Sequence, residues 1–250
     1  MALQESGSPV LERGESSTLL QLREAVTSAP QQFDRAAEEI PEVWSMKLSL
    51  LGALLTVPAL ATLLIPALQV GSSAHVIGFL AYGLGTLCMF LASAAFHSRA
   101  GYERTFLKNL DYCAIALMIA GSFTPYCVIV LRTPFGYGVL SLIWLISLCA
   151  MSLRISRPKM SKWYFVFLFL TVGWLGGFLA YPVFKGLGVQ GTALTLLAGA
   201  IYTVGTLVFN RNEDEVEPVG FGAHEVWHLF ILAGAAIQYL VLRLYMVPVV

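Results

Sequence analysis

The chain has 250 residues, of which 57% are hydrophobic and only 12% charged, with a mean hydropathy of +0.74. A soluble domain carries about 25% charged residues, so 15 basic and 15 acidic side chains are too few to solvate a soluble core of this length. A formal net charge of zero offers no basic field for nucleic acid. The four cysteines (Cys88, Cys113, Cys127, Cys149) sit inside apolar runs with no CxxC pair, which excludes a disulfide framework or a zinc ribbon. The class is an all-α integral membrane protein.

From Met1 to Glu42 there are eight acids and three arginines, with turn-rich stretches at Glu5–Pro9 and Gly14–Ser17. Lacking the apolar core of a signal peptide, residues 1–43 read as a solvated, weakly ordered tail, with Thr18–Glu24 as a short amphipathic helix. Residues 44–250 form the membrane domain. Its apolar runs are Leu48–Leu68, Val76–His97, Leu110–Leu131, Phe135–Leu153, Trp163–Tyr181, Thr192–Phe209 and Ala223–Val247. Each is long enough to cross a hydrocarbon core of about 30 Å, and none alternates as a barrel strand would. The sequence thus predicts a seven-transmembrane helix bundle. Pro58, Pro66 and Pro125 should kink their helices. Gly83, Gly85, Gly173, Gly176, Gly177 and Gly199 suit close helix contact.

Cations set the orientation. The second loop carries Arg99, Arg104 and Lys108; the fourth carries Arg154, Arg157, Lys159 and Lys162; the sixth carries Arg211. The odd loops hold only Arg132 and Lys185. The positive-inside rule makes the even loops cytoplasmic, with the N-terminus inside and the C-terminus outside. The acidic residues of the sixth loop, Glu213, Asp214, Glu215 and Glu217, contribute little to that rule.

Ionisable side chains at membrane depth are costly and mark functional sites. His97 ends the second span, one helical turn after Ser93; Asp111 opens the third; His224, Glu225 and His228 open the seventh. With this orientation all lie at the cytoplasmic ends of their helices. His224 and His228 at i and i+4 share one helix face and can grip one ion, and His97 supplies a third nitrogen. Three neutral nitrogens with one open position suit a catalytic zinc site, where zinc brings the pKa of water to about 7. Asp111 is placed to take that water's proton, and Ser93 to orient the site or bind a substrate carbonyl. His75, at the opposite side, reads as interfacial. His224-Glu-Val-Trp-His228 also fits H-E-x-x-H, so an intramembrane metalloprotease with Glu225 as base is a competing reading.

Ser93-Ala-Ala-Phe-His97, Leu110-Asp-Tyr112, Gly121-Ser-Phe-Thr-Pro125 and His224-Glu-Val-Trp-His228 together resemble the hemolysin III family, which belongs with the progestin and adipoQ receptors, including the adiponectin receptors. The resemblance implies a seven-helix fold with a cytoplasmic N-terminus, and zinc held by His97, His224 and His228 with Asp111 beside the zinc-bound water. It also implies kinship with alkaline ceramidases, hence a hydrolase of lipid amides. One departure stands out. Bacterial members follow Glu-Glu-Ile with Asn and a Thr-His pair, whereas Glu38-Glu-Ile40 here precedes Pro41-Glu-Val-Trp-Ser-Met46, which leaves open what the first helix contributes.

The expected function is zinc-dependent hydrolysis of a lipid amide entering from the inner leaflet of a plasma membrane, or of the inner membrane in a bacterium. Membrane lipids are its expected partners. The alternative is a receptor or regulator of membrane state with structural zinc, for which a closed site with Asp111 as fourth ligand would speak. Pore formation is disfavoured, since no span carries a polar stripe. Transport is left open by Gln238 and Arg243 in the last span.

Overall fold

A computed structural model describes residues 42–99, 103–158, 160–211 and 222–247. The expected acidic tail with its Thr18–Glu24 helix, and the acidic stretch 213–217, lie outside them. All regular structure among the described residues is helical. Helix α1 covers Val43–Val70, α2 Ser73–His97 and α3 Glu103–Pro125, the last continued by a π-helical turn at Tyr126–Leu131. Then come α4 (Pro134–Ser156), α5 (Lys162–Leu175), a 3₁₀ turn (Gly176–Leu179), α6 (Ala180–Arg211) and α7 (Ala223–Val241), which runs into a second π-helical turn at Leu242–Met246.

Local chemistry sets several of these ends. Helix α1 stops at Gly71, in the left-handed conformation (φ 73°), whose N–H closes the last turn on Ala67 and Leu68. Helix α4 starts at Thr133, whose hydroxyl accepts from the Gly136 N–H at 3.1 Å, with Pro134 in the first turn where its missing N–H costs nothing. Pro58 and Pro66 both lie within α1, which continues through them, while at Pro125 α-helical geometry gives way to the wider turn.

Polarity is reversed relative to a soluble protein. Leu54, Phe106, Phe167 and Phe178 are 70–75% exposed, while Ser45, Ser49, Thr86, Ser93, His97, Arg154, Glu225, His228 and Gln238 are buried. That is the arrangement of a bundle solvated by lipid. Six helical stretches of the described residues are long and apolar enough to cross a membrane: Val43–Val70, Ser73–His97, Arg104–Leu131, Pro134–Ser156, Trp163–Phe209 and Ala223–Met246. The count differs from the expected seven because the fifth and sixth expected runs fall in one 47-residue stretch. At 1.5 Å per residue this would reach about 70 Å as a straight helix. It is interrupted at Gly188 (φ 70°, ψ −172°), a conformation open essentially to glycine alone.

The α2–α3 pair packs main chain against main chain. A Cβ on Gly85 would come within 3.0 Å of the Leu117 carbonyl oxygen, and one on Gly121 would overlap that of Ala81. Gly173, Gly177 and Gly199, which the sequence offered for similar contacts, face open space. Gly121→Ala is therefore expected to wedge the pair apart and to cost about 1–3 kcal/mol, as overpacking does; thermal unfolding in detergent measures it. His75 is buried rather than interfacial. Its Nδ1 meets the Ser72 hydroxyl at 2.6 Å and its ring lies edge-on to Phe79.

Candidate metal centre

Four helix ends meet at one end of the bundle: the start of α1, the end of α2, the first turns of α3 and the start of α7. His97 closes α2. His224 and His228, one turn apart at the start of α7, have nearly parallel rings (7° between planes, centroids 5.1 Å apart), so both point the same way. The His97 ring stands edge-on to both, with centroids 4.8 Å from each. His97 and His228 are 1% and 6% exposed, and His224 is partly exposed. The three offer ligand atoms all within 4.8 Å of one another and could hold a metal ion.

The donor set fits such an ion. Nε2 of His97 and Nε2 of His228 are 3.2 Å apart. Two nitrogens bound tetrahedrally to zinc at 2.0–2.1 Å would be separated by about 3.3–3.4 Å. The opposite nitrogen of each ring faces an oxygen. Nδ1 of His97 is 2.8 Å from Glu42 Oε2, Nδ1 of His224 is 3.3 Å from that same oxygen, and Nδ1 of His228 is 3.4 Å from Ser49 Oγ. The Ser49 contact is a hydrogen bond and the Glu42 contacts are charge contacts; both favour a proton on Nδ1, which leaves Nε2 free.

The surrounding polar groups are also connected. Ser49 donates to Ser93 Oγ at 3.1 Å, which leaves its lone pairs to accept from His228. Ser93, buried at the last turns of α2, thus reaches the histidines through Ser49. Glu225 accepts from the Ser45 hydroxyl at 2.9 Å and from the Gly222 N–H at 2.8 Å, so its carboxylate caps α7 and ties it to α1. Asp111, partly buried two turns into α3, is close enough to His97 for their charges to interact, but it is not one of the grouped ligands.

Glu42 is the residue that sequence reading passed over. Its N–H donates to the His97 carbonyl at 3.2 Å, its Oε1 is ion-paired with Arg104, and its Oε2 faces two imidazoles. Burial pushes its carboxyl up, but the close His97 imidazole and the charges of His224, His97 and Arg104 outweigh this and hold it well below the usual carboxylate range. Ser45 and Ser49 were missed with it. A signal was present, because positions 45, 49, 52, 53 and 56 are small or polar at helical spacing and all are buried on one face of α1.

Residues 38–239 match the family described as Haemolysin-III related. The chain is 32% identical over 200 residues to Hemolysin-3 of Bacillus cereus, an alignment covering 79% of this chain and 88% of that one. It is 30% identical over 200 residues to the Hemolysin-3 homolog of Bacillus subtilis (strain 168), covering 80% and 91%. It is 26% identical over 165 residues to Monocyte to macrophage differentiation factor of Homo sapiens, covering 63% and 66%. The family match runs from Glu38 to Tyr239 and takes in Glu42 and all three histidines, so this multi-pass membrane protein belongs to the haemolysin III family, within the progestin and adipoQ receptor superfamily.

Proposed function

We propose that the protein is a zinc-dependent hydrolase of lipid amides, built on seven spans with the N-terminus in the cytoplasm and the metal centre near the cytoplasmic face. One observation carries the reading: three imidazoles converge at a buried helix end while every Nδ1 is turned toward an oxygen. Two findings support the topology. The glycine break at Gly188 gives the 47-residue stretch a place to divide into two spans. Cations gather at the site's end of the bundle, where Arg104 pairs with Glu42 and Arg154 lies 4.1 Å over the Tyr112 ring, next to Asp111.

His97, His224 and His228 would hold the zinc. When bound, that ion supplies Lewis acidity and lowers the pKa of water to about 7. Asp111 accepts the proton of the attacking water and returns it to the departing amine nitrogen, so that the amide C–N bond breaks with no net proton change. The apolar bundle accommodates the acyl chain. Ser93 and Ser49 keep His228 oriented.

The first test is metal content of the full chain in mild detergent, followed by hydrolysis of a ceramide-type amide before and after chelation. About one zinc per chain, with turnover lost on chelation and restored by zinc, is the expected result. A folded protein that takes up no metal sinks the reading. The competing receptor or regulator reading draws on the way the site joins α1, α2 and α7, a tie that structural zinc would reinforce. The metalloprotease reading is weakened because both Glu225 oxygens are already engaged. Glu225→Ala is accordingly expected to lose about 1–3 kcal/mol of stability, the cost of two broken buried hydrogen bonds, while metal content stays at that of the wild type. Thermal unfolding and metal analysis of one preparation check both halves.

A further inference from the structure

We propose that Glu42 is a positioning residue of the metal centre, one carboxylate oxygen orienting two of its three imidazoles. This rests on the reading of His97, His224 and His228 as metal ligands. An imidazole on a helix end can turn either nitrogen inward, and an open choice at two rings would leave the three donors poorly aligned. Glu42 Oε2 biases that choice by charge, since it lies 2.8 Å from Nδ1 of His97 and 3.3 Å from Nδ1 of His224. A carboxylate that close to both rings favours a proton on the near nitrogen and leaves the far one for the ion, an outer-shell role.

Glu42 does this from outside the ligand set. The His97 nitrogen that meets His228 is Nε2, at 3.2 Å, and the one that meets Glu42 is Nδ1. These nitrogens lie on different edges of one ring, so a single ion between the histidines is out of Glu42's reach. Glu42 is itself fixed at three points, one on its carboxylate and two on its backbone. Arg104 holds Oε1, the Glu42 N–H donates to the His97 carbonyl at 3.2 Å, and the next residue, Val43, begins α1. The chain therefore enters its first helix through the outer shell of the centre.

The geometry also says why an amide would serve poorly here. Donors approach both ends of the Glu42 side chain, Arg104 at Oε1 and two imidazoles at Oε2. A glutamine must turn its NH₂ toward a donor in either orientation. An aspartate keeps both acceptors but falls one methylene short.

The test compares wild type, Glu42→Gln, Glu42→Asp and Ser45→Ala as full chains in detergent. Zinc affinity is measured by competition with a chromophoric chelator, and the ligand field by the visible spectrum of the cobalt(II) form. Ser45→Ala breaks a different tie between α1 and α7 without touching an imidazole, so it reports the cost of merely loosening α1. Glu42→Gln is expected to weaken zinc binding about 10–100-fold and to alter the cobalt spectrum, with Glu42→Asp between it and the wild type. Ser45→Ala should match the wild type in both. If Glu42→Gln matches Ser45→Ala in affinity and spectrum, the positioning role is overturned while the metal centre stands. If the wild type takes up neither zinc nor cobalt, the metal reading fails and this inference with it. Should Glu42→Gln not fold, the comparison of Glu42→Asp with Ser45→Ala decides on the same criteria.

Discussion

His228→Ala is expected to leave the protein without bound metal under conditions where the wild type holds about one ion per chain. His228 is buried, its Nε2 is 3.2 Å from that of His97, and its ring lies parallel to that of His224. Alanine removes one of the three grouped nitrogen donors. Ser49, the polar group beside it, faces Nδ1 on the far side of the ring. Changes to outer-shell partners alone weaken metal sites by about 10–100-fold, so deleting a ligand should cost more than about 100-fold. His97→Ala and His224→Ala should behave alike, whereas His75→Ala, at the other end of the bundle, should lower stability and leave metal content unchanged. Elemental analysis with chelator competition gives the answer directly. Wild-type affinity in His228→Ala would remove the basis for the metal centre.

Asp111→Asn should do the reverse, keeping the metal and losing turnover. Asparagine preserves size and hydrogen-bonding reach but cannot take a proton from water. General acid–base groups contribute about 10²–10⁴-fold, and a loss of that size in lipid-amide hydrolysis is expected. Asp111 is absent from the grouped ligands though near His97, which fits a base beside the ion. Loss of zinc in Asp111→Asn would make it a fourth ligand. The site would then be closed and the receptor or regulator reading preferred.

The histidines were legible in the sequence because ionisable residues in apolar runs are few. Only four histidines occur in the chain, and three fall at helix ends that the charge pattern puts on one side. Glu42, Ser45 and Ser49 were not, because an acid and two serines at the start of a helix are ordinary until their partners are known. Ser45 meets Glu225 and Ser49 meets His228 across some 180 positions, a proximity no local pattern encodes. His75 was misplaced for a related reason. Hydropathy marks it as the edge of a span, and nothing in its local pattern, where Ser72 and Phe79 lie one turn to either side, tells that the bundle buries it. The gap expected between Tyr181 and Thr192 does contain Gly188, where the helical backbone of the Trp163–Phe209 stretch is interrupted, although the chain is continuously helical up to that glycine.

The contrast between Gly121 and Gly188 has a mechanical consequence. Glycine joins α2 and α3 with no side chain between them, a contact with little room to slide, whereas at Gly188 it puts a joint into the longest apolar stretch. A bilayer thicker or thinner than the protein's apolar belt strains its helices by fractions of a kcal/mol per Å, and that strain is relieved by tilting and bending. Here the compliant member is the α5–α6 side, and the stiff one is the pair that carries His97 and Asp111. Stretch or compression of the membrane thus bears least on the α2–α3 pair, and so on the placement of His97 and Asp111.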